Sequence, residues 1–523
     1  MPITFEWLRK NFAFIEKIFF FIFLSALLYA VWAHQWFHTG DGPAHLYCAN
    51  VLNKLVTDAY SPFQRYFELN IQPVPNSLVQ VLLAVLLAFF NAATANKIIV
   101  SLVILIFCFG YLKLTRIISG ASKFFPLLFV AFIFCIPLKT GFYNFLAGLG
   151  IMMAAFSQYL ESYSTVNLKK YVYFALLVLL LWFTHFFGFS LLLLAVFIHQ
   201  FFFKLTESVR AKNYSEFFRN AVYWLITFIP SIILSLLFAG HAAGANVIRF
   251  AEVDALNEGL FSAVTLRNYF TDKELTILNW FFGALLLPLI FWLFSRNKKA
   301  NPNLSFVLVF LLVLLLMYYL LPYEFLAGGM INLRMAYVLF IFLAVFSESL
   351  TMNVYCRALK LAAGCMITWY SITNQVKESA FYSREIEDLQ KSLSVLHHGA
   401  IVLPLNYSDY IFQFNYALYL SCNDKDITVL DNLEADSPNG LVRWNDRAWN
   451  TNLLGNYLTS PRPELNIAAY ENEKKVRLYY VLRWRWNENI KDAATLRTNN
   501  VLDSLFKKIY VSEREYAEVF LRK

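Results

Sequence analysis

Six consecutive residues, Gly40-Asp41-Gly42-Pro43-Ala44-His45, put a carboxylate and an imidazole just beyond a hydrophobic run covering residues 18 to 37. A carboxylate there either does chemistry or caps a helix, and an imidazole can bind phosphate or a metal. Pro43 makes capping the simplest role for Asp41, because proline is tolerated in a first helical turn and an acidic residue before it satisfies free amides. A short helix is expected from Pro43 to about Val56. Its Leu46, Val51, Leu52, Leu55 and Val56 alternate with Asn50, Asn53 and Lys54, which suits a helix lying in a membrane interface. His45 sits in its first turn and stays close to Asp41; a lone histidine there is also an ordinary interfacial residue.

The elements that must hold these residues follow from composition. Of 523 residues, 59% are hydrophobic and 18% aromatic, and only 15% are charged, against about 25% in an average soluble protein. Apolar runs near the length that crosses about 30 Å of hydrocarbon recur from residue 18 to 371, roughly twelve of them, so the spanning elements are helices and not barrel strands. The first run follows Arg9, Lys10 and Lys17 as a signal peptide would, yet it is too long for one and lacks a small-residue cleavage site before Asp41. It reads as the first transmembrane helix.

The net charge of +9 is explained by basic clusters in short loops: Arg9 to Lys17, Lys113 to Lys123, Lys169 with Lys170, Lys204 to Arg219, Arg296 to Lys299 and Arg357 to Lys360. These mark the cytoplasmic side, and no nucleic-acid partner is needed to account for them. The alternate ends fall outside, at Asp41, Gly141 to Asn144, Thr184 to Gly188, Gly240 to Glu274 and Leu321 to Arg334, with everything beyond about Thr373. One passage conflicts. The runs near 76 to 90 and 97 to 112 return the chain to the outside just where Lys113, Arg116 and Lys123 call for the cytoplasm. An internal start and an external end need an odd number of crossings, about 11 or about 13, whereas the runs number roughly twelve.

After Thr373 the chain becomes polar. Ala400 to Leu405, Asp426 to Leu430 and Val476 to Trp484 read as strands, and Glu378 to Leu396 and Glu513 to Leu521 as helices. The expected organisation is an all-α polytopic membrane domain over residues 1–372 and a small extracytoplasmic α/β domain over 373–523. Six cysteines make no disulfide framework: Cys108, Cys135, Cys356 and Cys365 lie in or beside apolar runs, and nothing pairs Cys48 with Cys422.

The external face carries further polar candidates. Glu68 is the other acid late in the first loop. Asn144 stands beside Tyr143 at a helix start, where an aromatic belt explains the ring better than the amide. His185 interrupts the run Trp182-Phe183-Thr184-His185-Phe186-Phe187, and ionisable groups at membrane depth default to functional sites. Arg334 follows Gly329-Met330-Ile331-Asn332-Leu333, with Glu324 as an alternative partner, and Arg249 and Arg267 occupy the loop from Gly240 to Glu274. Arg443-Trp444 to Trp449 and Arg483-Trp484-Arg485-Trp486 read as structural anchors of the tail.

An Asp at the outer end of the first transmembrane helix, an amphipathic helix after it and the proline-rich Gln72-Pro73-Val74-Pro75-Asn76 leading to the next apolar run resemble the GT-C glycosyltransferases, in particular the bacterial aminoarabinose- and mannosyl-transferase-like superfamily. The resemblance covers residues 1 to 372, and an external tail domain is usual in the class. It implies a polyprenyl-phosphate sugar as donor, an envelope glycan, lipid or protein as acceptor, membrane lipids as surroundings, and a bacterial inner membrane. It implies Asp41 as the general base on the acceptor hydroxyl, which chemistry supports because a hydroxyl is a poor nucleophile near neutral pH. By residue type and placement His45, Glu68, Asn144, His185, Arg334 and Arg249 are candidates for substrate binding, with the Arg334 guanidinium a bidentate match to a lipid donor's phosphate. Asp-Gly-Pro stands where many members have adjacent acids, so the use of a divalent metal is open.

The chain has no GxxxxGK[ST], no glycine-rich dinucleotide turn and no HExxH, which argues against ATP-driven transport and a zincin protease. A carrier for a lipid-linked or polar solute is the alternative to an enzyme. Carriers place ionisable groups near the bilayer midplane; here the polar candidates gather at one face, which favours interfacial chemistry.

Overall fold

The computed structural model describes residues 5–119, 132–163, 167–242, 248–267, 272–294, 302–324, 329–350, 354–408, 410–422, 425–430, 435, 440–445, 465–474, 476–486 and 493–523. In chain order the elements begin with α1 (Phe5–Trp32), α2 (Gly42–Thr57), β1 (Phe67–Leu69), α3 (Leu78–Leu87) and α4 (Ala92–Ser119). Then come α5 (Ile136–Lys139), α6 (Tyr143–Ser162), α7 (Leu168–Thr184), α8 (Phe186–Ile198), α9 (Leu205–Ala211), α10 (Tyr214–Ile226), α11 (Ile229–Ala242) and α12 (Val253–Phe261). The helical part closes with α13 (Asp272–Phe294), α14 (Pro302–Leu320), α15 (Ile331–Ser349) and α16 (Val354–Lys391). The tail holds β2 (Ile401–Asn406), β3 (Thr428–Val429), β4 (Val442–Trp444), α17 (Ile467–Lys474), β5 (Tyr480–Trp484), α18 (Ala493–Leu505), β6 (Phe506–Val511) and β7 (Ala517–Arg522).

This is an integral membrane protein. Among the described residues, five helices are long and apolar enough to cross a bilayer, Asn11–Trp32, Ala92–Ser119, Phe186–Ala211, Asn303–Leu320 and Ile331–Ser349, and a sixth span results if α10 and α11, bent by 47°, are taken together. The larger tally of apolar runs includes helices below that length, such as α3 with 10 residues and α7 with 17. The basic cluster at Arg296 to Lys299 lies outside the described residues.

The chain divides into two compact units. The first takes residues 1–30, 100–138 and 142–375, the second 31–99, 139–141 and 376–523. The first is a helical bundle with an aromatic interior. At one end of it, Arg357 at the start of α16 pairs with Glu16 of α1 at 2.5 Å. Lys360 Nζ donates to Ser347 O of α15 at 2.8 Å, and Tyr111 of α4 donates to Glu348 Oε2, also on α15, at 2.8 Å. Lys113 Nζ lies 3.6 Å from Glu161 Oε2 of α6.

The second unit is built on a mixed sheet of order β3-β2-β5-β7-β6, in which β2 runs parallel to both neighbours and β7 pairs antiparallel with β5 and β6. Strands β2, β3 and β5 fall where β-branched and aromatic content placed them, though β5 starts only at Tyr480. The helix expected over 513–521 is instead strand β7. Its Glu-Tyr-Ala-Glu composition suits a helix, but pairing on both sides overrides propensity. Glu518 stands opposite Arg483 on β5, makes a buried ion pair with it and accepts from Lys508 Nζ at 2.6 Å. Trp484 is 2% exposed; Asp446 to Trp449 lie outside the described residues. Helix α2 packs beside the turn Tyr416–Ser421, where Asn50 Nδ2 donates to Ser421 O at 2.7 Å.

Candidate active site

Asp41 occupies the N-cap position of α2 but does not cap it. Its φ and ψ are −91° and −5°, and its side chain makes no capping hydrogen bond. The work is done two residues earlier: Gly42 N–H donates to Thr39 Oγ1 at 3.1 Å. A carboxylate at a helix head that leaves the capping to a neighbour has another use to be explained. Asn415 Nδ2 donates to Asp41 Oδ1 at 3.1 Å and stands 3.4 Å from Gly40 O, while Asp41 itself stays half-buried. The Asn415 amide therefore orients one oxygen of the acid.

The backbone around it is pinned to the segment 139–141. Gly40 N–H donates to Lys139 O at 2.7 Å and Asp41 N–H to Thr140 O at 2.8 Å. Gly141 has φ +89°, a conformation suited to glycine, and a Cβ there would lie 2.9 Å from Asp41 N and 3.0 Å from Asp41 Cβ. His45 closes the arrangement through its ring, since Nε2–H donates to Gly141 O at 3.0 Å. Lys139 is held by a buried pair, with Nζ 2.6 Å from Glu378 Oε2. One loop, one helix head and one amide from the tail segment thus fix the position of a single carboxylate.

Behind this turn lies His38, which the sequence reading did not single out. Its Nε2–H donates to Phe412 O at 2.7 Å and its Nδ1 accepts from Tyr419 Oη at 3.1 Å, with Tyr382 and Tyr416 rings 4.5 and 4.9 Å away. Burial drives its pKa down to about 3, against the Phe412 carbonyl and with the help of Lys139, so the ring is neutral and its tautomer is set by these two bonds. His38 therefore fixes Phe412, three residues from Asn415. Neither His38 nor Asn415 could be recognised from spacing, because each lies hundreds of residues from its partners.

Glu68 is in the same unit but in another element. It stands opposite Arg443 in the β1–β4 pair, with Oε1 2.7 Å from Arg443 Nε, and both side chains are more than a third exposed. Among the described residues no three His, Cys, Asp or Glu side chains gather as a metal site would require.

Asn144, His185, Arg334 and Arg249 belong to the first unit. His185 separates α7 from α8 in an extended conformation, with φ −161° and ψ 116°, and is 5% exposed. Gly148 of α6 admits it, since a Cβ there would come within 2.6 Å of His185 Cβ. Phe145 links three of the candidates. It follows Asn144 on α6, its ring meets His185 at 5.4 Å, and the Arg334 guanidinium lies 5.9 Å from it and 4.5 Å over Phe142. Arg249 is placed apart from these: it bridges Glu324, with Nε 3.6 Å from Oε2 and a side chain 69% exposed. Glu324, the alternative partner considered for Arg334, is engaged there.

No protein-family model matches this chain, and no curated protein does. Solved structures do. ArnT from Cupriavidus metallidurans in the apo state superposes with a TM-score of 0.54 at 9% identity, covering 95% of this chain and 97% of that one. The same protein bound to undecaprenyl phosphate gives a TM-score of 0.52 over the same shares. This chain has an ArnT-like fold. The GT-C architecture expected from the Asp41 turn and the apolar runs is thus the architecture found, and near-complete coverage of both chains means that the ArnT-like likeness includes the tail as well as the helices.

Proposed function

We propose that this protein is a membrane glycosyltransferase that moves a sugar from a polyprenyl-phosphate donor to an envelope glycan, lipid or protein acceptor on the extracytoplasmic side of a bacterial inner membrane. The observation that carries this reading is Asp41: a half-buried carboxylate at a helix head, relieved of capping by Thr39 and oriented by Asn415. Its setting in an ArnT-like fold, and the binding of undecaprenyl phosphate by ArnT, support a lipid-linked donor.

In the proposed reaction the Asp41 carboxylate takes the proton of the acceptor hydroxyl as its oxygen attacks the anomeric carbon. The bond from that carbon to the phosphate oxygen breaks, and the electron pair leaves with polyprenyl phosphate. Arg334 is the proposed ligand of the donor phosphate, since its guanidinium, placed over the Phe142 ring, offers a bidentate match to a phosphate. Asn144 and His185, grouped with it around Phe145, are proposed to shape the donor-binding side. His45 is assigned to positioning, because its ring holds Gly141. Glu68 and Arg249 are left out of the assignment, since each neutralises its charge in an exposed pair.

Purified protein with labelled polyprenyl-phosphate sugar tests the reading. Asp41→Asn is expected to lower transfer by roughly 10²–10⁴-fold with insertion unchanged; transfer at the wild-type rate would remove the base assignment. Movement of the lipid across vesicles without any transfer would instead favour the carrier reading. Arg334→Ala is expected to raise the donor concentration needed for half-maximal rate by roughly tenfold or more, with acceptor dependence unchanged. An unchanged donor dependence removes the phosphate role.

A further inference from the structure

Arg483 and Arg485 stand two residues apart at the end of β5 and meet opposite surroundings. Arg483 lies within the sheet, 7% exposed, with its guanidinium shared between Glu518 and Asn499. Arg485 follows the last residue of the strand with φ +55°, a left-handed conformation that few non-glycine residues adopt. Its N–H donates to Tyr516 O at 2.7 Å, which holds it there. Its Nη2 pairs with Glu385 of α16, whose side chain is 1% exposed. Three rings surround the guanidinium: Tyr516 at 4.3 Å, and Phe381 and Tyr410 both at 5.4 Å.

This corner lies at the sheet edge where binding sites form. β2 and β5 are parallel and end together, Asn406 opposite Trp484, and in open sheets ligands gather beyond the carboxyl ends of parallel strands. The chain after β2 is folded tightly there. Asn406 Nδ2 donates to Gln413 O at 2.7 Å, Ser408 Oγ to Gln413 Oε1 at 2.5 Å, and Gln413 Nε2 to Glu385 Oε2. The loop so fixed presents Tyr410, 52% exposed, with its ring 6.1 Å from that of Phe381. Gln413 is two residues before Asn415, the donor to Asp41, which is about 7 Å along the chain.

The chemistry of the corner selects its ligand. Glu385 cancels the charge of Arg485, so an anion gains little net attraction there. A half-exposed phenol ring beside a fixed guanidinium, with hydroxyl and amide groups around it, suits a ligand with an apolar C–H face and a rim of hydroxyls. We propose that Tyr410 and Arg485, set in place by Glu385, Phe381 and Tyr516, form a subsite for an uncharged sugar unit of the acceptor. The assignment rests on the reading of Asp41 as the base that meets that acceptor, and it narrows the acceptor to one that carries a glycan.

Saturation-transfer NMR on the full-length protein in detergent tests this, with uncharged oligosaccharides released from the cell envelope by mild acid as the probe. Sugar signals are expected with the wild type, roughly tenfold weaker with Tyr410→Ala and restored with Tyr410→Trp, which returns the aromatic face. No sugar signal with the wild type, an unchanged signal with Tyr410→Ala, or displacement of the sugar by inorganic phosphate overturns the proposal. Transfer assays separate it from the proposed reaction. With labelled donor, and with lipid-linked and water-soluble envelope glycans offered separately, Tyr410→Ala is expected to raise the acceptor KM roughly tenfold in whichever fraction is used, with the donor KM unchanged. Transfer at an unchanged acceptor KM overturns the subsite and leaves the glycosyltransferase reading standing. Sugar binding by a protein that transfers nothing overturns that reading and leaves the sugar site standing.

Discussion

Asp41 and Glu68 are two acids in the one segment between α1 and α3, and their surroundings differ. Glu68 lies on a strand across from Arg443, both exposed, so its charge is cancelled by a partner that water already screens. Asp41 has a neutral amide donor, a helix that takes its cap from Thr39, and backbone bonds to residues 139 and 140 that leave the turn little freedom. The amide orients the Asp41 carboxylate within a fixed turn, whereas Glu68 is engaged in an exposed pair. The difference teaches that the useful carboxylate of a loop is recognised by what orients it.

The contrast can be sharpened by loosening the Asp41 turn without touching its carboxylate. Gly141→Ala forces a positive φ of +89° on a residue with a Cβ and drives that carbon to 2.9 Å from Asp41 N. The strain is of order 1–3 kcal/mol, and the displaced turn is expected to depress transfer strongly while donor affinity holds. A variant with normal turnover would show that the 40–141 contact does not position the base. A smaller effect is expected from Asn415→Ala, which removes one hydrogen bond to a charged group, worth about 1.5–3 kcal/mol. Turnover should fall with KM little changed.

Much of this was legible in the sequence because it is local. The apolar runs announce spanning helices and Pro43 announces the start of α2. Asp41 could be named, but the competing role as a cap could not be dismissed, since that depends on whether Thr39 Oγ1 or Asp41 takes the Gly42 amide. Asn415 and His38 were beyond reach for a different reason: their partners lie 374 and 381 residues away in the chain. The 513–521 segment failed because Glu and Ala favour a helix until Arg483 and Lys508 supply a buried partner for Glu518.

The smallest effect is the one that holds the comparison together. Glu68→Gln removes a charge from a pair in which both side chains are more than a third exposed, so stability should change by less than about 0.5 kcal/mol and transfer should stay at the wild-type rate. The strand register survives, because Phe67 and Trp444 stack at 4.3 Å beside it and the β1–β4 bonds are backbone. Arg443→Gln added to that variant should change nothing further, since the pair has no remaining energy to lose. A loss of transfer in Glu68→Gln comparable to that in Asp41→Asn, at unchanged thermal stability, would mean that an exposed, ion-paired acid takes part in the chemistry. Orientation by a neutral donor would then cease to separate the two acids.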